Sequence, residues 1–167
     1  MAIRRSDKHR SILPENELEF ALAKAMSYCA YQERCRLDVA VRLRSIQITR
    51  EQTERVIEKL EEDGFINEER FATLYAGGKF RQLHWGKIKI RAGLRSKGIA
   101  DNIISQALES IDEEKYLQIL RGLIASKSKT LSAENDERVN EQKIILYLSS
   151  KGFEENLIYQ ELNKKKY

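Results

Sequence analysis

Residues 71–100 contain no carboxylate, yet they carry Lys79, Arg81, Lys87, Lys89, Arg91, Arg95 and Lys97, with His84 and Trp85 among them. Acidic residues collect on either side: Glu51, Glu54, Glu58, Glu61, Glu62, Asp63, Glu68 and Glu69 before, Glu109, Asp112, Glu113 and Glu114 after. A solvated helix face normally mixes its signs. Segregation of this kind suits the holding of a polyanion or of an acidic protein surface. The competing reading is internal: the basic segment pairs with the acidic helices that flank it. The net charge of +4 is too small to decide between them.

Chemistry of the bond-breaking kind finds no support. Gly77-Gly78-Lys79 resembles the end of a phosphate loop, but Phe80 stands where Ser or Thr would bind magnesium and Thr73 where the leading glycine would be. G-x-G-x-x-G, H-E-x-x-H and G-x-S-x-G are all absent. Of the two histidines, His9 falls in an expected tail, which leaves His84 as the one imidazole base. Cys29 and Cys35 read as two free thiols, since their spacing points them apart and too few other ligands exist for zinc. No cofactor or metal is expected, and the protein reads as a binder, not an enzyme. Phe65, Phe71, Tyr75 and Phe80 recur at helical spacing and read as core. Trp85, beside Gly86 in the basic segment, is open between packing and touching a partner.

The elements that must position these residues are helices. Charged residues make up 34% of the chain, and there are only one Pro and eight Gly, a composition that favours helix throughout. No apolar run approaches the roughly 20 residues needed to span a bilayer, so no membrane partner is expected. The basic start, with Arg4, Arg5, Lys8 and Arg10, lacks the apolar core of a secretory signal, and a cytoplasmic location is expected.

An internal repeat organises the chain. Residues 94–108 and 148–162 agree at eight of fifteen positions at an offset of 54, and a weaker third copy begins at Leu43. Each copy reads as a helix ending near Lys-Gly, a turn with one large apolar residue, then an amphipathic helix. Gly98 and Gly152 suit the left-handed position that ends a helix, while Lys97 and Lys151 complement its dipole. Ile99 and Phe153 can fold back on the last turn. Gln47 replaces the glycine in the first copy, and Thr49 with Gln52 forms a capping box. A further helix precedes each pair: 18–31, 67–82 and 112–126. The expectation is an all-α chain of three tandem three-helix repeats in an elongated, curved array. Their bounds are a basic flexible tail 1–16, repeat one 17–63, the basic repeat two 67–111, and repeat three 112–167 with a polar mobile loop 127–136.

Lys87-Ile-Lys-Ile-Arg91 alternates with period two, a strand signal, but has no evident strand partner. Its place in the repeat predicts helix. On a helix Ile90 and Leu94 face inward, while Lys87, Arg91 and Arg95 form a basic stripe.

Asp63-Gly-Phe-Ile-Asn-Glu-Glu-Arg-Phe-Ala72 resembles the block (D/E)-G-φ-φ-(D/N)-(D/E)-E-R-F-A of the RecX family of bacterial recombination regulators. Gly78-Lys79-Phe80-Arg81, Trp85-Gly86-Lys87-Ile88-Lys89-Ile90 and Leu94-Arg-Ser-Lys-Gly-Ile99 follow that family's central repeat in order and spacing. The resemblance covers about residues 17–165 and is strongest over 56–108. Ile46-Gln47 departs from the family's Lys-Gly, and Trp85 stands where many members carry Tyr or another residue. The resemblance implies a cytoplasmic, monomeric regulator that binds the RecA recombinase filament on single-stranded DNA and restrains its ATPase, growth and strand exchange. It also implies contact with single-stranded DNA, directly or through the filament. The candidate contact residues are Arg70, Lys79, Arg81, Lys87, Lys89, Arg91, Arg95, Lys97 and Trp85. The alternative is a stand-alone DNA-binding module that holds phosphates through the basic middle repeat.

Overall fold

Helix-capping chemistry divides the chain at the places its sequence marks. The computed structural model describes residues 15–131 and 136–164, and these are helical with no strand among them. The order is α1 (Glu15–Tyr31), α2 (Arg36–Leu43), a short 3-10 turn (Arg44–Ile46), α3 (Arg50–Glu62), α4 (Glu68–Leu83), α5 (Lys87–Ser96), α6 (Asp101–Glu109), α7 (Glu113–Lys129), α8 (Glu137–Lys151) and α9 (Glu155–Lys164). Thr49 and Gln52 exchange the two bonds of a capping box at the start of α3. Asn67 and Asp112 each accept a backbone N–H from the residue three further on, opening α4 and α7.

Three helix ends close the same way. Phe65 N–H reaches the Leu60 carbonyl, Ile99 that of Leu94, and Phe153 that of Leu148, each across a glycine with positive φ. This is the Schellman arrangement, in which the residue past the glycine bonds back and packs on the last turn. Ile99 and Phe153 are buried, as their place after the glycine predicts. At the end of the 3-10 turn Gln47 itself takes the left-handed conformation, φ 59°, without a glycine.

The period-two stretch at 87–91 is helical. A strand would put Ile88 and Ile90 on one side; instead Ile90 and Leu94 are fully buried and Ile88 is 53% exposed, the outcome of a four-residue spacing.

Two boundaries differ from expectation. The tail predicted over 1–16 lies outside the described residues except for Glu15 and Asn16, which already belong to α1. The polar loop predicted over 127–136 starts later, because α7 runs on through Lys127–Lys129, with basic side chains in its last turn where the dipole favours them. Residues 132–135 lie outside the described residues.

The chain forms two units, the first ending at Ile66 and the second beginning at Asn67. In the first, α1, α2 and α3 close over Ala21, Ala25, Cys29, Val39, Leu43, Val56, Ile57 and Leu60. Arg36 reaches from α2 to both Glu54 and Glu61 on α3. Neither Cys29 nor Cys35 is in a disulfide; both are buried, Cys35 standing at the start of α2. Burial pushes the Cys29 thiol above its ordinary range, which makes it a poor nucleophile. In the second unit α4, α5 and α6 pack together over Phe71, Ala76, Phe80, Ile90, Leu94 and Ile104, and α7, α8 and α9 over Leu120, Ile124, Ile144, Leu148 and Ile158.

Candidate partner-binding surface

The predicted contact residues sit on α4 and α5, and their placement rests on how α5 begins. Its first three N–H groups have no partner within the helix. Gly86 N–H donates to the Lys151 carbonyl (2.9 Å), Lys87 N–H to the Tyr116 hydroxyl (2.9 Å) and Ile88 N–H to the Gly152 carbonyl (3.0 Å). The carbonyl end of α8 is thus docked on the amide end of α5, negative pole to positive pole. Such proximity needs two glycines. A Cβ on Gly86 would lie 2.2 Å from the Gly152 carbonyl oxygen, and one on Gly152 would lie 2.3 Å from the Cβ of Lys89. Three donors at the start of α5 are thus taken up within the fold.

Tyr116 completes this joint. It is fully buried between Phe80 and Phe153, with ring centroids 5.6 and 5.1 Å away. Its hydroxyl accepts from Lys87 N–H and donates to Glu154 Oε2 at 2.6 Å. Burial, followed by the bond to Glu154, pushes the phenol well above its ordinary range, so it stays a donor.

The basic stripe is not unopposed. Lys87 pairs with Glu113 at 2.7 Å and Arg95 with Asp101 at 2.8 Å, so acidic residues flanking the carboxylate-free segment fold back on two of the stripe's three cations. The Arg95 hydrogen bond holds the Asp101 carboxyl below its usual range. The Arg95–Asp101 pair is solvent-exposed on both sides and open to exchange with a partner. Arg91, between them, enters no ion pair among the described residues. It lines a cleft of about 360 Å³ between α5 and α6, shared with Ile88, Ser105, Leu108, Glu109 and Glu154.

The remaining candidates fall into three places. Lys79, Trp85 and Lys89 come together where α4 turns into α5: the two ammonium groups lie 5.1 and 4.9 Å from the Trp85 ring centroid. Trp85 is half-buried, so it both packs and presents surface. Arg81 is exposed in the last turn of α4. Arg70 is in the first turn of that helix, about 16 Å from Arg81 by helical rise, and Lys97 caps the far end of α5. The structure therefore gathers Lys79, Trp85 and Lys89, and separates Arg70 and Lys97 from them. His84, the one candidate base, is an exposed residue with φ 52° that ends α4. No group of three metal-ligating side chains occurs among the described residues, and no described helix is long and apolar enough to cross a membrane.

Sequence reading missed Lys127 and Tyr147, which stand with Lys151 on α7 and α8. Their ammonium–ring distances are 5.3 Å for Lys127 and 5.7 Å for Lys151. The available signal was the repeat itself: Lys151 occupies the position of Lys97 one repeat later.

Comparison with known proteins agrees with this architecture. Residues 67–108 match the model of the second three-helix domain of RecX. The chain is 31% identical over 150 residues to the regulatory protein RecX of Clostridium acetobutylicum, covering 88% of this chain and 69% of that one. It is 32% identical over 120 residues to the regulatory protein RecX of Bacillus mycoides, covering 72% of this chain but only 44% of the relative. The crystal structure of RecX from Lactobacillus salivarius superposes with a TM-score of 0.82 at 25% identity, over 90% of this chain and 97% of that one. A second crystal structure, of a regulatory protein RecX, gives 0.80 at 25% identity over 88% and 72%. An all-helical repeat chain with these relatives, and with the central three-helix block intact, belongs to the RecX family.

Proposed function

We propose that this protein binds a RecA-type recombinase filament on single-stranded DNA and restrains its ATP hydrolysis, growth and strand exchange, acting without catalysis of its own. The observation that carries this reading is the middle repeat, 67–111. It is the part that matches the family's second three-helix domain, and it holds a run of thirty residues without a carboxylate. Its cations suit the acidic, phosphate-rich surface of a nucleoprotein. Arg81 and Arg91 are the members of the set that enter no ion pair among the described residues and have no ring contact, so they are the first to meet a partner. Lys87 and Arg95 must exchange Glu113 and Asp101 for it. The reading places the protein in the cytoplasm, as a monomer, with the repeats 17–63 and 112–167 flanking the contact unit.

Co-sedimentation with a preformed filament tests the surface. The double substitution Arg81→Glu and Arg91→Glu is expected to weaken binding by tenfold or more while helicity is unchanged. Undiminished binding of that variant would move the contact off the middle repeat.

A further inference from the structure

Repeat three contains the counterpart of the place that Tyr116 fills in repeat two. There the Tyr116 ring is set against Phe80 and the start of α5. Lys87 donates its N–H to the hydroxyl and lays its ammonium 4.8 Å from the ring centroid. The offset of 54 between the repeats carries Gly86, Lys87 and Leu108 to Asn140, Glu141 and Leu162. The buried ladder Ala72, Ala76, Phe80 of α4 recurs on α7 as Tyr116, Leu120, Ile124, which carries Phe80 to Ile124. Ile124, Asn140, Glu141 and Leu162 line one cavity of about 250 Å³, which no described side chain fills. Ile144 adds to its apolar wall and Glu137 to its rim.

We infer that this cavity is a docking site for a segment of a second protein that presents an aromatic side chain flanked by basic residues. Size sets the first term. About 250 Å³ lies below the roughly 300–1,000 Å³ of small-molecule pockets and suits a single side chain. The filled counterpart takes a tyrosine against apolar walls, and the buried Ile124, Ile144 and Leu162 supply such walls. Charge sets the second term. Where repeat two offers the Lys87 ammonium and meets Glu113, repeat three offers the Glu141 carboxylate, with Glu137 one turn before it. Reversing the sign of the rim reverses the sign of what it recruits. These carboxylates repel a phosphate backbone, so the occupant is a polypeptide. The helix α8 also begins a turn earlier than the offset places it and is capped by Asp136, so the occupant binds through side chains and not as another docked helix end. Head-to-tail stacking of a second copy would bring Glu17 and Glu19 of α1 against Glu137 and Glu141, like charge on like, which points to a different protein.

The probe is the capped peptide Lys-Lys-Tyr-Lys-Lys, titrated calorimetrically into the full chain with neither recombinase nor DNA present. Binding is expected, with shifts of the Ile124 and Ile144 methyl resonances. Replacing the peptide's tyrosine by alanine should weaken it about tenfold, the usual loss for an aromatic anchor. The double substitution Glu137→Lys and Glu141→Lys should abolish binding of the basic peptide and confer binding of Glu-Glu-Tyr-Glu-Glu, a gain that only a folded variant can show. No binding of the basic peptide, equal affinity for its alanine version, or equal affinity of the charge-reversed protein would each overturn the site. Self-association seen in sedimentation and lost in the charge-reversed protein would also overturn it, by giving the cavity to a second copy. Because no filament enters these measurements, their failure leaves the filament reading standing, and the reverse also holds.

Discussion

Tyr116 is the residue on which the joint between α5 and α8 turns. It fills space between Phe80 and Phe153 and supplies one acceptor and one donor in a part-buried joint. Tyr116→Phe keeps the ring but strands the Lys87 N–H and one oxygen of Glu154. We expect a loss of about 1 kcal/mol in denaturant unfolding, the net contribution of a hydrogen bond that is not fully shielded from water. Glu161 is the second such residue. It is buried, and the hydrogen bonds of Arg121 and then Lys164 lower its carboxyl from an ordinary 4.5 to about 2. A group whose pKa falls on folding stabilises the fold above its unfolded value and loses that contribution as the pH drops towards the folded one. Stability is therefore expected to fall between pH 4.5 and pH 2. Glu161→Gln should cost about 2 kcal/mol at neutral pH and flatten that dependence, as read from urea midpoints across the range. Neither role was legible in the sequence. Tyr116 and Glu154 are 38 residues apart and Arg121 and Glu161 are 40 apart, so only the packed fold brings them together. The pairing of Lys87 with Glu113 across 26 residues was hidden for the same reason, although charge segregation had shown that both signs were there to be paired.

At the scale of elements the sequence was far more informative, because helix ends are local. Asn67, the Thr49–Gln52 box and the Lys-Gly terminations act within four residues of themselves, and each is where its spacing put it; Asp112, read as the first residue of its helix, is its cap. Gln47 shows the limit of that logic: it holds a left-handed conformation that glycine adopts more cheaply, and the fold overrides the preference. Gly86 and Gly152 carry a further meaning that spacing alone could not reveal. The first has an ordinary extended conformation, φ −76°, so its lack of a side chain serves the approach of α8 and not its own backbone. Gly86→Ala should therefore push α5 and α8 apart. We expect a loss of about 1–3 kcal/mol, the usual cost of overpacking, together with weakened protection of the Gly86 and Ile88 amides in hydrogen exchange. The polar loop shows the opposite error. Lys127–Lys129 looked like loop by composition, but α7 has room for another turn and its carbonyl end favours the cations.

For the whole molecule, the second unit presents two kinds of basic surface. On α5, cations are partly answered by Glu113 and Asp101; Lys79, Lys89, Lys127 and Lys151 instead lie over aromatic rings. The first kind was legible as a carboxylate-free segment, while the second needed α7 to be placed against α8. A surface answered by exposed carboxylates is suited to reversible exchange with a partner, since an exposed pair is held weakly. Such exchange is what the proposed reversible binding to a filament requires. The chain spans 44% of the length of its Bacillus relatives, so the account concerns what these helices do by themselves. The most direct measurement is a titration of this protein into an active RecA filament on single-stranded DNA, following ATP hydrolysis. Hydrolysis should slow with increasing protein and recover with the Arg81→Glu, Arg91→Glu variant. An unchanged rate at saturating protein would contradict the account.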